Sequence, residues 1–118
     1  MKETAEFIST LLHSGTVTHF MHLSSDSYAK HMALGTYYAE IIELVDQFAE
    51  AYMGRYQQIK EFPSDFHTFT EPVKYMEAMK GFVTESRALI PQDTELQNIV
   101  DSIADLINST LFKLKYLK

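Results

Sequence analysis

Hydrophobic residues recur along the chain at steps of three and four, the period of an α-helix, in four successive runs. In the first, Ile8, Leu11, Leu12, Gly15, His19 and His22 share a line that Phe7 widens. This predicts a helix over 4–22. Gly15 costs about 1 kcal/mol against alanine inside a helix, and on the buried line it marks a place for close helix approach. Leu23 to Ser27 break the pattern, and Ser24 or Ser25 is placed to cap the next helix. So short a turn makes the first two helices antiparallel neighbours.

The second helix is expected over 27–58, about 45 Å long at 1.5 Å per residue. Its apolar sector is centred on Leu34, Tyr37, Ile41, Val45 and Phe48. It extends past His31 to Gly35 and Met53, spanning roughly 180° of the helical wheel. A helix with one buried side needs less, so this one is expected to pack on its own bundle and on a second copy of the chain. Asp46 sits at the margin of that sector, in line with Gly35, Ala39, Ile42 and Met53.

Residues 59–70 read as a connection, in which Pro63 ends any continuing helix. Phe62, Phe66 and Phe69 should pack it on the bundle. Thr70 is expected to cap a third helix with Pro72 in its first turn, and with Tyr75, Met76, Met79, Phe82, Val83, Leu89 and Ile90 as its buried face. Asp93 suits the cap of a fourth, whose stripe runs from Leu96 through Val100, Ile103 and Ile107 to Leu114. No strand pattern, internal repeat or low-complexity segment interrupts this. Four helices with short joints predict a single all-α domain over 1–118, an up-down-up-down four-helix bundle.

Composition narrows the chemistry. The 118 residues are 46% apolar and 22% charged, with a formal charge of −6. That charge argues against nucleic-acid binding by the whole surface. The lysines of the C-terminal stretch, Lys113, Lys115 and Lys118, suit the negative end of a helix. There is no cysteine, which excludes disulfides and thiolate metal sites. Neither a signal peptide nor a membrane-spanning run is evident, so a soluble, cytoplasmic protein is expected. No Ser-His-Asp arrangement or phosphate loop can be picked out.

The ionisable groups of 19–50 carry the candidate chemistry. His19, His22 and His31 offer imidazoles, and Asp46, Glu50 and Glu43 offer carboxylates. Such a mixed set suits iron, manganese or zinc. His31 and Asp46 are 15 residues apart on one helix, about 22 Å along its axis, so they cannot share an ion within one chain. Antiparallel pairing of two copies of the second helix removes the obstacle. Residues then face when their numbers sum to about 77 to 81, and two identical sites result.

This stretch resembles the ferritin-like proteins of the Dps branch, the DNA-binding proteins from starved cells. His19 and His31 have the twelve-residue spacing of that family's histidines, and Asp46 to Glu50 reproduce its D-x-x-A-E arrangement. The resemblance covers roughly residues 8–55 and implies a ferritin-like domain. It also implies His19 and His31 as metal ligands from one subunit, Asp46 and Glu50 from its partner, and ferroxidase activity on iron. The family's aspartate four residues after the second histidine falls on Gly35, and its Trp-Asn after the first is Phe20-Met21. Small phage-encoded relatives of unknown function look like a closer comparison than full-length members. Gly35→Asp is then expected to strengthen metal binding.

Plainer readings stand beside these. His31 and His19 also suit hydrogen-bonded interface positions, and His22 a helix end paired with Asp26. Asp46 could pair with Tyr28 or Tyr38. His13 and His67 look like surface residues. The whole could be a non-catalytic helical dimer with a degenerate site, or a monomer whose broad apolar face meets another protein.

Overall fold

The computed structural model describes residues 1–118 as four helices and no strands. They are α1 (Lys2–Ser24), α2 (Tyr28–Arg55), α3 (Pro72–Ser86) and α4 (Thr94–Tyr116). All four lie where the periodicity placed them, and the differences are at the ends. Ser27 caps α2, its hydroxyl accepting from the Lys30 N–H, while the Ser24 hydroxyl turns back to the Phe20 carbonyl. The cap of α3 is Glu71, not Thr70; its carboxylate takes the N–H groups of Val73 and Lys74. A long acceptor side chain reaches donors that the first turn leaves free. Because α3 stops at Ser86, Leu89 falls outside it and is exposed, although Ile90 is buried.

Asp93 stands at the cap position of α4 without bonding its first turn. It instead accepts from the Tyr56 hydroxyl at 2.5 Å and pairs with Arg55 at 2.6 Å. The Tyr56 hydrogen bond, more than the Arg55 charge, holds its carboxyl below the ordinary value. The contact also ends α2 at Arg55, short of the expected residue 58.

Ion pairs fix the helix directions. His22 meets His31 beside the first turn, and the Phe7 and Phe48 rings meet 5.1 Å apart farther down, so α1 and α2 are antiparallel. Arg55, at the end of α2, pairs with Asp93 and Glu95, at the start of α4, and the two helices pack together. Glu77 near the start of α3 pairs with Lys115, and Arg87 just past its end bonds Gln97 and Asp101. Thus α2 and α3 both run against α4 and in the same direction as each other. The expected up-down-up-down order is therefore corrected to up-down-down-up. The reason is the 57–71 segment, long enough to carry the chain back along the bundle. The helix backbones pack in the circuit α1–α2–α4–α3, and across the diagonals only side chains come together in the shared core.

Leu11, Leu34, Tyr37, Phe48, Met76, Leu96 and Ile103 fill the centre with almost no exposure. Tyr37 gives its hydroxyl to a bond of 2.7 Å with Ser14, and burial pushes the phenol far above its usual range. No buried side-chain polar atom lacks a partner, as a close-packed interior requires. The crossover is pinned by buried Ile59, by a Ser9 hydroxyl donating to the Pro63 carbonyl, and by His67. His67 is not the surface residue expected: its Nε2 lies 2.6 Å from the hydroxyl of fully buried Tyr75. Phe62, Phe66 and Phe69 remain about half exposed, so the segment is held less by its phenylalanines than the sequence suggested.

Candidate functional site

The α1–α2 hairpin gathers three histidines. The rings of His22 and His31 stack at 3.6 Å, and His19 lies 6.1 Å from His22. His19 is exposed and lies flat on Tyr38 at 4.0 Å. The stack is locked by two reciprocal bonds. His22 Nδ1 lies 2.5 Å from the His31 carbonyl oxygen, and His31 Nδ1 lies 2.8 Å from the His22 carbonyl oxygen. A carbonyl only accepts, so both Nδ1 atoms carry protons. In each neutral ring Nε2 is then a free lone pair, the arrangement of a ligand-ready imidazole.

His22 thus does not pair with Asp26 at a helix end, as one reading supposed. Its position explains Gly35. A Cβ there would lie 3.0 Å from His22 Cε1 and 3.1 Å from its Nδ1. Glycine therefore leaves room for an imidazole from α1 where the resembled family carries an aspartate. Sequence reasoning missed this pairing. Its only trace was a glycine one turn beyond His31, and nothing in the sequence says which side chain fills the space.

Asp46 and Glu50 are about four and five turns beyond His31 on α2, exposed, and make no hydrogen bond or ion pair within the chain. Neither Tyr28 nor Tyr38 takes Asp46. No three His, Asp or Glu side chains of one chain are grouped so as to hold a metal ion. The stack itself gives one reason. An ion bound by an imidazole lies near the plane of that ring, about 2.1 Å from the nitrogen. The two ring planes are 17° from parallel and stacked, so one ion cannot lie in both. None of the surface hollows includes His19, His22 or His31. His19 is exposed and His22 and His31 are half-buried, so the imidazoles line one outer face of the α1–α2 hairpin.

That face continues along α2. Tyr28, Met32, Gly35, Ala39, Ile42, Asp46, Ala49 and Met53 follow alternating steps of four and three, and none is buried. Tyr28 is 77%, Met32 49% and Ile42 44% exposed. This is the 3.5-residue repeat of a helix–helix seam, present on the outside of the bundle. The other half of the wide apolar sector, Leu34, Tyr37, Ile41, Val45 and Phe48, is in the core. No helix is long and apolar enough to cross a membrane.

Comparison with known proteins places the chain among proteins without an assigned activity. It is 26% identical over 112 residues to an uncharacterized 14.6 kDa protein in the mobD-ri intergenic region of Enterobacteria phage T4. The match covers 95% of this chain and 84% of that protein. No solved structure matches. A family model matches residues 22–114, which include His22, His31, Asp46 and Glu50, and the chain therefore belongs to the Family of unknown function (DUF5856).

Proposed function

We propose that this is a ferritin-related, Dps-like protein that dimerises through α2 and binds a divalent metal, iron first, at two sites shared between subunits. The observation that carries this is the self-complementarity of the α2 seam. Paired antiparallel across a two-fold axis, Tyr28 meets the partner's Met53, Met32 the partner's Ala49, and Ala39 the partner's Ile42. Gly35 then meets the partner's Asp46, and His31 the partner's Glu50. Every seam position finds its mate within the seam, which is what an isologous interface demands. A parallel pairing would instead set Asp46 on Asp46 and Glu50 on Glu50, a like-charge contact that disfavours it.

The helix order adds support. An all-α bundle running up-down-down-up with one long crossover is the ferritin-like connectivity. In the antiparallel dimer His19 and His31 of one subunit lie at the same end of the seam as the partner's Asp46 and Glu50. That set of imidazoles and carboxylates suits iron, zinc or manganese. Sedimentation equilibrium should give a dimer. Titration with ferrous iron or zinc should show uptake that His31→Ala and Asp46→Ala each reduce at least tenfold in affinity. A monomer, or uptake that neither substitution changes, would refute the reading.

A second reading is a non-catalytic dimer on the same seam. The reciprocal bonds of His22 and His31 favour it, because they satisfy one nitrogen of each ring without a metal. It predicts a dimer of unchanged stability in excess chelator.

A further inference from the structure

The geometry points to His22 as a metal ligand, holding with the partner's Asp46 an ion of its own beside the one at His31 and the partner's Glu50. This rests on the antiparallel dimer and the shared metal site proposed above. It changes the ligand set, because the family resemblance gives His22 no role and the sequence offers it only as one of three candidate imidazoles.

Three observations lead to it. The His22 ring occupies the space over Gly35, with Nε2 4.0 Å from where a Cβ would stand. In the antiparallel seam that is the position facing the partner's Asp46. Next, the His31 carbonyl fixes the proton of His22 on Nδ1, so the neutral ring offers Nε2 as a lone pair. A lone pair and a carboxylate brought face to face repel unless a proton or a metal ion lies between them, and a metal ion is the occupant that competes with the proton. Finally, the stacked rings at 3.6 Å and 17° cannot converge on one ion. They can take two ions side by side, each completed by a different carboxylate of the partner. With His19 6.1 Å from His22, the site is richer in nitrogen than a carboxylate-dominated iron centre. Imidazole-rich sets suit zinc, cobalt and ferrous iron, and discriminate against magnesium and calcium.

The ligand assignment reverses the expected effect of restoring the missing carboxylate. Gly35→Asp sets its Cβ 3.0 Å from the His22 ring, which must shift by a few tenths of an ångström, so the substitution misaligns a nitrogen ligand as it adds oxygen. It should weaken zinc binding.

The test is calorimetric titration of the full chain with zinc, with the dimer followed by sedimentation equilibrium. Wild type should take up about two zinc ions per chain and His22→Gln about one, with the dimer intact and with millimolar magnesium failing to compete. Independently of any variant, imidazole 15N spectra of the wild type should show zinc shifting the Nε2 resonance of His22. Halved uptake together with that shift supports the inference. Uptake that His31→Ala reduces but His22→Gln leaves unchanged, with a His22 Nε2 resonance that does not move, overturns it and leaves the shared site standing. No zinc uptake by the wild-type dimer overturns both.

Discussion

Glycine carries three different meanings in this chain, and only the tertiary structure separates them. Gly15 is buried between α1 and α2, yet a Cβ there would sit 3.5 Å from Ile41 and 3.6 Å from Ile42, ordinary contact distances. The close approach inferred for it does not require glycine. Gly81 lies mid-helix in α3 with nothing within 4 Å. At Gly35 a Cβ meets a ring that is itself stacked and hydrogen-bonded. Gly81→Ala should therefore stabilise the fold by about 1 kcal/mol, through helix propensity and a less flexible unfolded chain. Gly15→Ala should gain up to a similar amount. Gly35→Ala should gain nothing or lose stability, because the His22–His31 stack must yield. Denaturant melts of the three variants test this, and a Gly35→Ala gain equal to that of Gly81→Ala would remove the steric role given to His22.

Among the elements, the crossover departs furthest from what the pattern predicted. Its length was legible from the sequence, but its path was not. Short joints suggested neighbours that alternate in direction, whereas the Glu77–Lys115 and Arg55–Asp93 pairs show α2 and α3 parallel. The path depends on small fixings such as His67 on Tyr75. Burial, and to a lesser degree the nearby His13, lower the His67 pKa below its ordinary value of 6.5. The folded state thus binds the His67 proton more weakly than the unfolded chain does. Its contribution to stability is complete above pH 6.5 and is lost as pH falls through the lower, folded value. Wild type should lose stability on acidification through that window, and His67→Gln should lose less. Parallel pH profiles for the two proteins would show that the docking of His67 is not what titrates.

At the scale of the whole molecule, the question is what covers the outer side of α2. Met32 and Ile42 are exposed on a helix whose opposite side is fully packed. Ile42 sits next to the centre of the proposed two-fold, where it meets the partner's Ala39. Ile42→Lys should therefore convert the proposed dimer to a monomer while leaving the helical content unchanged, as light scattering and circular dichroism would show. A dimer that survives this change uses another surface. An isolated core strain is not expected, since Ile42 already contacts solvent in the single chain.

What the sequence determined by itself was the helical class, the position of each helix and the buried stripe of α4. These follow from a period of 3.6 residues and from local breaks such as Pro63, both of which are properties of neighbouring residues. It also showed that α2 has more apolar surface than one bundle needs, and that His31 and Asp46 cannot meet within a chain, because rise per residue fixes their separation. Tertiary structure decided the rest. Helix direction depends on which ends pair, and Arg55, Glu77 and Lys115 do not declare their partners in sequence. The stacking of His22 on His31 over Gly35 joins two helices through the space that a missing side chain leaves. Periodicity assigns residues to faces, but what fills that space depends on how closely two faces approach.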